Sequence, residues 1–564
     1  MKPIDRRTFL RQAGMAGAAA LVTPPTILTP RRTRPRTARG SVVFRPHYVQ
    51  RGVGPNLLDW AYASDAKWDA FRSDITASHD GVVITDARGE ERFGVNVRWN
   101  VEGFGYLFLT ADNGGEFYTL PPEGETTTFN LNAELARSRV VRNRERLGQH
   151  GANGWRPSRE VRAHLDLSEG YYEDALKAGD EAARGARAQQ ALYYALVGGE
   201  MLELEKARDE IRRRGTRDHF FAGCDARSFY QMDPDVFLDR FTELFDYATI
   251  TYYQRIGHDG VPDFEPVRGD KRFDTRDALF RRLKQRGVTV EGRPILYPYP
   301  SVTPDWMREL SYDDLLRYVE RHTREMVGHY GDEMYAWEIV NEFHDWANEV
   351  NVTPEQAVEV TRLACDVAKA TAPNVHRLIN NCCPYAEYVQ LGTYQDRPAT
   401  YPQRTPWEFM KDLTDAGVDF TLTGQQMYFP YRDLQDILLM VERYRAFGRP
   451  VQLTEIGASS GPSDKTVKLG TVPLPTEPYP WHRPWDEELQ ADWAEAVYTL
   501  AYAQPYVEAV NWYDFVDGHD WIDNGGLVRD GRGAPKPIFE RLKKLRAEWK
   551  ALPPPPPRTG CPTC

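Results

Sequence analysis

Two glutamates follow stretches that read as buried strands. Glu342 ends YAWEIVNE, and Glu455 lies in PVQLTEIGA. A lone carboxylate at such a point is more often a surface group or half of an ion pair. Two carboxylates across one cleft can instead cleave a glycoside: a protonated one donates to the leaving oxygen while an ionised one attacks the anomeric carbon. Close approach supports this division of roles, because one negative charge raises the pKa of its neighbour.

Eight strand-like stretches alternate with helix-like ones over residues 216–550. This order predicts an α/β fold, a (β/α)8 TIM barrel, with a doubly wound sheet as the alternative; no glycine-rich phosphate fingerprint follows an early strand. Catalytic groups of a barrel stand at the carboxyl ends of its strands. Glu342 ends the fourth stretch and Glu455 the seventh, and the two-residue period of a strand puts Glu342 on one face with Glu338. Both catalytic candidates are therefore expected at the mouth of one cavity.

The chain on either side of the predicted barrel has a different character. Residues 40–130 carry short alternating runs separated by Gly, Asn and Asp, which predict a β-sandwich-like module that either binds carbohydrate or only packs. Residues 131–215 have apolar residues at helical spacing and are predicted to form a helical connector. A Pro-rich tail, residues 551–564, ends in Cys561-x-x-Cys564, which is either a disordered thiol pair or a redox or metal motif.

The first 39 residues look like a targeting segment. Arg6 and Arg7 precede Phe9, Leu10 and a small, mildly apolar run, which is typical of a twin-arginine signal followed by a basic linker. The alternative is a disordered basic tail. The apolar run is too short to cross a membrane, so no stable membrane span is expected. The pattern predicts export by the twin-arginine machinery to the periplasm or the cell exterior.

Charge and histidine spacing exclude several classes of protein. Nine of the 71 basic residues and one of the 82 acidic residues lie in the first segment, so the remainder carries 62 against 81, a net charge of −19. Such an acidic chain is a poor partner for nucleic acid or an anionic membrane and suits a neutral polysaccharide or oligosaccharide. The histidines show no paired spacing for a metal. We therefore expect neither a metal nor another cofactor.

The region from about residue 216 to 548 resembles glycoside hydrolase family 10, the retaining endo-β-1,4-xylanase barrels. WEIVNE is similar to the family motif W-D-V-V-N-E, and the resemblance implies that Glu342 is the acid/base and that Asn341 bonds the sugar 2-hydroxyl. LTEIGA is similar to T-E-L-D-I, which implies that Glu455 is the nucleophile. HFFAGCDA and LVRDGRGAPKPIFERL resemble the first strand and the closing segment of the family.

The residues that would hold the sugar depart from the family pattern. The family's second strand ends in T-P-E-N-E-M-K-W, whereas this chain has ATITYYQRIG, with Tyr253 in that region. On the third strand Arg293 replaces a family His, and Tyr297 stands in place of the Trp of a Trp-His pair. On the sixth strand G-x-Q-x-H becomes a sequence in which Gln426 is kept and Tyr428 replaces His. The Tyr428 hydroxyl could give the nucleophile the hydrogen bond that the family His supplies.

Two of the departures are expected to be coupled. Arg293 replaces a His, and Glu338 replaces the Asp of W-D-V-V-N-E. Both should face the barrel interior on adjacent strands, so we predict an Arg293–Glu338 ion pair beneath Glu342, with charged atoms no more than about 5 Å apart. The alternative is a Glu338 that bonds only to backbone or water.

Aromatic side chains near the strand ends are candidates for the walls of the cleft. Trp512 ends the eighth stretch, and Trp521 lies in the loop beyond. Further candidates, each weighed against simple loop packing, are His344, Trp346, Trp481 and Trp485. The full set predicted to contact substrate is Asn341, Gln426, Tyr428, Trp512, Trp521, Arg293 and Tyr297.

These observations predict an exported, retaining glycoside hydrolase that cleaves a β-linked polysaccharide or oligosaccharide, with xylan as the substrate that the resemblance implies. One alternative is another β-glycosidase of the same Glu/Glu clan with a different sugar. The other belongs to a different class of protein, a carbohydrate-binding barrel without turnover.

Overall fold

The computed structural model describes residues 39–47, 60–256, 260–344, 346–394, 397–428, 431–461, 466–469, 472–475 and 480–555. The predicted twin-arginine signal and the cysteine pair of the tail lie outside the described residues, as does much of the loop that follows Glu455.

Eight strands form between residues 41 and 130, where the sequence predicts a β-rich module. They are β1 (Ser41–Arg45), β2 (Ala61–Asp65), β3 (Ala70–Phe71), β4 (Asp74–Ser78), β5 (Gly81–Asp86), β6 (Phe93–Val101), β7 (Gly105–Ala111) and β8 (Thr126–Asn130). Two four-stranded sheets result, ordered β4-β5-β1-β8 and β3-β2-β6-β7. Buried side chains of both sheets, such as Val42 and Leu109, belong to one hydrophobic cluster. The first sheet therefore shares its core with the second.

Three helices follow, in the region predicted to be a helical connector. They are α1 (Leu131–Gly151), α2 (Arg159–Leu176) and α3 (Glu181–Arg214), and Asn130, Ser158 and Asp180 cap them. These caps accept hydrogen bonds from backbone N–H groups that have no partner within the first turn. Buried Arg139 of α1 pairs with Asp433 at 2.7 Å and Asp436 at 2.6 Å. These pairs join α1 to the barrel; the division of the chain into separable domains stays a prediction.

Eight parallel strands close into a barrel, which confirms the predicted fold and excludes the open sheet. They are β9 (Phe221–Asp225), β10 (Tyr247–Thr251), β11 (Thr289–Arg293), β12 (Ala336–Asn341), β13 (His376–Asn381), β16 (Leu422–Tyr428), β17 (Val451–Gly457) and β20 (Val507–Trp512). Two short hairpins lie in the loops, formed by β14 (Thr393–Tyr394) with β15 (Arg397–Pro398) and by β18 (Thr466–Leu469) with β19 (Val472–Pro475). The ring closes because β20 pairs in parallel with β9.

Helices connect the barrel strands. They are α4 (Pro234–Leu244), α5 (Phe273–Gln285), α6 (Asp305–Arg308), α7 (Tyr312–Tyr330), α8 (Pro354–Thr371), α9 (Tyr388–Leu391), α10 (Pro406–Asp415), α11 (Leu434–Arg443), α12 (Glu487–Ala503) and α13 (Pro537–Lys550). Capping boxes begin α8 and α10, where Thr353 and Thr405 exchange hydrogen bonds with the third residue of the helix. Within the described ranges, no helix has the length and apolar character needed to cross a membrane.

Two strands lose their regular alternation near the candidate glutamates. The register of β12 with β13 shifts between Glu338 and Val340, and the register of β17 with β20 shifts around Glu455. Glu342, the residue after β12, has a φ of 54°. Irregularities of this kind bend a strand and re-aim side chains, and they are common next to active sites. Both glutamates are therefore aimed by local distortions as well as by strand period.

Candidate active site

A cavity of about 430 Å³ lies at the carboxyl ends of the barrel strands. Seven of the eight strands contribute a lining residue at or just beyond their ends. Glu342 and Glu455 both line it, as the sequence predicts. A volume in this range is typical of sites for small ligands, and this edge of a barrel is where catalytic groups stand.

The carboxylate of Glu342 is held from two sides. The left-handed turn after β12 is fixed by the Glu342 N–H, which donates to the Asn380 carbonyl at 3.0 Å. The Tyr297 hydroxyl donates to Oε2 at 2.7 Å, and the Gln426 amide donates to Oε1 at 2.9 Å. The side chain thus has one orientation in the cavity wall, and it is almost fully buried.

Burial gives Glu342 an unusual proton affinity. Loss of solvent raises its pKa from 4.5 to about 7, and the negative charge of Glu455 adds to the rise. The hydrogen bonds from Tyr297 and Gln426 oppose it, because they favour the ionised carboxylate. Near neutral pH both protonated and ionised forms of Glu342 are populated, which is what a group that gives and takes a proton requires.

Glu455 has a different set of partners. Arg293 and Asn380 donate to Oε1, the latter at 3.2 Å, and the Tyr428 hydroxyl donates to Oε2. The hydrogen bond from Tyr428, expected from the sequence, is therefore present. Three donors converge on this group, which is the pattern that suits a carboxylate, because an ionised carboxylate only accepts. The two glutamates of one cavity thus have opposite surroundings.

The predicted Arg293–Glu338 ion pair is confirmed, with Arg293 Nε 3.7 Å from Glu338 Oε2. The closer contact of Arg293, which the sequence did not predict, is with Glu455. Glu338 instead accepts a hydrogen bond from Asn380 Nδ2 at 3.0 Å. Burial raises the pKa of Glu338 well above its usual range, while Arg293 opposes that rise. The guanidinium therefore balances mainly the charge of Glu455, and Glu338 supports Asn380 from below.

Three residues predicted to contact substrate lie behind the cavity wall. Arg293 is buried under Glu455, and Asn341 accepts a hydrogen bond from the Gln426 amide at 3.2 Å. Trp512 is a core residue: its indole N–H donates to the Gly525 carbonyl at 2.9 Å. None of the three is among the lining residues. Their expected contact with substrate needs this correction, because the side chains are already satisfied inside the protein.

The other predicted contacts do line the cavity, together with residues that the sequence analysis missed. Tyr297, Gln426, Tyr428 and Trp521 are in the wall, and so is Trp346. The missed aromatic residues are Tyr253, Tyr299, Tyr431 and Tyr513. Tyr513 had a detectable signal, since it follows Trp512 and consecutive residues of a strand face opposite sides. The cavity is therefore walled mainly by tyrosines, which present flat faces and hydroxyl groups to a sugar.

The remaining aromatic candidates pack elsewhere. His344 is fully buried and contacts the Tyr388 hydroxyl at 2.8 Å. The Trp481 indole donates to Glu200 of α3 at 3.0 Å, and Trp485 stacks on Trp481 with ring centroids 6.3 Å apart. These two tryptophans fix the loop after Glu455 to the helices rather than capping the cleft.

A serine motif that the sequence analysis overlooked does not build a second site. Gly457-x-Ser459-x-Gly461 has the spacing of a nucleophile elbow. The Ser459 hydroxyl is fully buried and donates to the carbonyls of Gly461 at 2.8 Å and Asp523 at 2.7 Å. Its proton is committed to backbone acceptors, so the motif serves the loop. Among the described residues, no three His, Cys, Asp or Glu side chains are grouped to hold a metal ion.

Comparisons with known proteins agree with this geometry. The pattern of Glycosyl hydrolase family 10 matches residues 261–545, half of the chain, and the match begins beyond the departures on the second strand. The endo-1,4-beta-xylanase B of Thermotoga neapolitana is 21% identical over 300 residues, which cover 50% of this chain and 77% of that protein. The endo-1,4-beta-xylanase B of Paenibacillus barcinonensis is 22% identical over 316 residues, covering 53% and 88%.

Solved structures include xylanase 10B from Thermotoga petrophila RKU-1 in complex with xylobiose, with a TM-score of 0.45 and 17% identity over 61% of this chain and 98% of that one. A closed eight-stranded barrel, paired glutamates at its carboxyl edge and a family match over half of the sequence lead to one conclusion. This chain belongs to glycosyl hydrolase family 10 and is a glycoside hydrolase.

Proposed function

We propose that this glycoside hydrolase acts with retention, with Glu455 as nucleophile and Glu342 as acid/base catalyst. The observation that carries the proposal is the contrast between two carboxylates of one cavity. Glu342 is buried with a pKa of about 7, whereas Glu455 accepts from Arg293, Asn380 and Tyr428. Environments that separate two titratable groups in this way assign one to proton transfer and the other to attack.

In the first step a Glu455 oxygen bonds to the anomeric carbon and the glycosidic C–O bond breaks. The proton of Glu342 goes to the leaving oxygen, so the products are a glycosyl ester on Glu455 and a free aglycone. The charge of Glu455 disappears in the ester. Because that charge helps to raise the pKa of Glu342, the pKa falls once the ester forms.

In the second step water attacks the same carbon. Glu342, now ionised, takes a proton from the water, and the ester bond to Glu455 breaks. The released sugar keeps its original anomeric configuration because two inversions have occurred. The Glu455 charge returns, the pKa of Glu342 rises again, and the proton gained from water is retained for the next cycle.

For the substrate we propose a β-linked polysaccharide or oligosaccharide of the xylan type. Support comes from the relatives described above, which are named as endo-1,4-beta-xylanases. A different β-glycoside is the second candidate, favoured by a specific observation. Tyr253 and Tyr297 line the cavity on the strands where the family pattern has polar groups that grip the distal sugar.

A panel of aryl β-glycosides and polysaccharides separates these candidates. Faster turnover of an aryl xylobioside than of glucosides, mannosides or galactosides supports the xylan-type substrate. Faster turnover of another glycoside favours the second candidate. Binding without turnover of any compound would instead support the carbohydrate-binding barrel and contradict the mechanism.

The Tyr428→Phe variant tests how Glu455 is held. We expect kcat to fall about 10- to 100-fold with little change in KM, because a hydrogen bond to a charged group contributes about 1.5–3 kcal/mol. Tyr431→Phe is the matched control: Tyr431 lines the same cavity, but its hydroxyl bonds to Glu387. Steady-state kinetics on a soluble aryl glycoside makes the comparison. Equal losses in the two variants would contradict a specific role for the Tyr428 hydroxyl.

We also propose that the chain is exported by the twin-arginine machinery to the periplasm or the cell exterior. Support for this proposal is the Arg6-Arg7 pair ahead of Phe9 and Leu10. Replacing both arginines with lysine keeps the charge and is expected to leave the protein inside the cell, as measured by fractionation of cells that express the full chain. Export that continues unchanged would contradict the twin-arginine route.

A further inference from the structure

Strained backbone gathers at two places in the described part of the chain. Ten of its non-glycine residues have positive φ, a conformation that costs free energy and tends to persist at active sites and ligand clamps. One group lies in or beside the wall of the catalytic cavity and consists of Glu342, Cys383 and Ala386. The other group lies on the N-terminal sheets and consists of Trp68 (φ 58°), Asn113 (φ 58°) and Phe117 (φ 61°).

Trp68, in the turn between β2 and β3, is both exposed and immobilised. Its side chain leaves 47% of the residue accessible to solvent. The indole N–H donates to Asp112 Oδ2 at 3.2 Å, and the guanidinium of Arg142 lies 5.9 Å from the ring centroid. Phe117 packs beside it with ring centroids 6.1 Å apart. Single exposed apolar residues are common on proteins, but this one is fixed on several sides as a rigid, flat surface.

Polar side chains surround the exposed indole. Glu116 is exposed, with 73% of its side chain accessible, and pairs with Arg137 at 3.2 Å. Arg137 also donates to the Asn113 side chain, whose amide donates to the Phe117 carbonyl at 3.1 Å. A carboxylate and a guanidinium beside a flat ring supply hydrogen-bond acceptors and donors of the kind that bind neighbouring hydroxyl groups.

We propose that this surface, formed by Trp68, Asn113, Glu116, Phe117 and Arg137 and here named the Trp68 platform, binds a chain of β-linked polysaccharide outside the catalytic cavity. One pyranose ring would stack its C–H face on the indole while its hydroxyls meet Glu116 and Arg137. The choice of a neutral carbohydrate rests in part on the proposed function. It also rests on charge, since the protein is strongly acidic and the platform pairs its one carboxylate with a cation.

The test is adsorption of the full chain to insoluble xylan, cellulose and mannan, alongside turnover of a small soluble aryl glycoside. Trp68→Ala is expected to weaken adsorption about tenfold or more while turnover stays within about twofold of wild type. Trp521→Ala is the matched control. Trp521 is also exposed, but it lines the catalytic cavity, so turnover should fall while adsorption to the platform remains.

Two further measurements keep the proposal falsifiable. A Glu116→Ala, Arg137→Ala double variant leaves the indole in place and should also weaken adsorption, which guards against misfolding of Trp68→Ala. Unchanged adsorption in both variants, or no adsorption by wild type to any polymer, would overturn the proposal. Loss of a dimer in Trp68→Ala without loss of adsorption would overturn it in favour of self-association. Turnover by wild type reports separately on the proposed function.

Discussion

Replacing Glu455 with alanine is expected to reduce kcat for an aryl β-glycoside by about 10⁴-fold or more, the scale reached when an enzyme loses its nucleophile. The reason is geometric as well as chemical. Glu455 lies in the cavity wall and is oriented by Arg293, Asn380 and Tyr428. No other carboxylate among the described lining residues has this set of donors. Without Glu455 the covalent route has no group to attack the anomeric carbon.

Adding azide to the Glu455→Ala variant assigns the role. The small anion can occupy the space left by the carboxylate and attack the anomeric carbon from the same face. A β-glycoside should then give the α-glycosyl azide, a product of one inversion, which can be identified by NMR. A β-glycosyl azide, or no azide product, would contradict the role of Glu455 as nucleophile.

The control for Glu455→Ala is a second buried glutamate. Glu291 lies in β11 within the barrel, accepts a hydrogen bond from the Tyr247 hydroxyl at 2.6 Å and is not among the lining residues. Glu291→Gln should leave kcat near the wild-type value. If both variants lose activity alike, the loss reflects the fold of the barrel rather than the chemistry of Glu455.

Replacing Glu342 with glutamine is expected to lower kcat by about 10²- to 10⁴-fold for substrates with poor leaving groups. Glutamine has no proton to give to the leaving oxygen. An activated leaving group such as dinitrophenolate departs without protonation, so formation of the glycosyl ester should be nearly spared. Pre-steady-state kinetics would then show a burst, because the second step still lacks its base. Equal losses for both kinds of leaving group would contradict an acid role for Glu342.

The pH profile follows from the pKa of about 7 for Glu342. The acid must carry its proton at the start of the cycle, so kcat/KM of wild type should fall as pH rises through about 7. In Glu342→Gln this alkaline decline should be absent or displaced. A wild-type profile that stays flat from pH 6 to pH 9 would contradict the assignment.

Thermal stability of the same variant checks the pKa independently of activity. In the folded protein the pKa of Glu342 is raised from 4.5 to about 7, so its contribution to stability is fully present below about pH 4.5 and is lost as pH rises through about 7. That loss amounts to about 3 kcal/mol at most. Glutamine does not titrate, and its amide can donate to the Tyr297 oxygen. The Tm of Glu342→Gln should therefore gain on wild type between pH 5 and pH 8; a constant difference would contradict the raised pKa.

Local pattern was sufficient to predict most of the barrel. The stretch predicted as a helix over Thr275–Arg286 is observed as Phe273–Gln285, and Pro354–Ala370 as Pro354–Thr371. Strand and helix periods, caps and breakers act over a few residues, so they can be read along the chain. The order of these elements then placed Glu342 and Glu455 at the same edge of the sheet, because parallel strands share their carboxyl ends.

Contacts across the barrel could not be read in that way. Arg293 was expected to pair with its neighbour in strand order, Glu338, yet its closer partner is Glu455 on a strand across the interior. Likewise Trp512 was expected in the cavity, and the next residue, Tyr513, lines it instead. A shift of one residue turns a side chain to the other face of a strand, and only the closed sheet determines that register.

The sequence by itself determined the alternation of strands and helices, the two glutamates at strand ends and a tyrosine beside the nucleophile position. The tertiary structure decided which groups meet. Register shifts in β12 and β17, the left-handed turn at Glu342 and the burial that raises its pKa all depend on strands far apart in sequence. Loss of solvent and the approach of one charge to another are properties of the assembled barrel, and for that reason no local pattern could supply them.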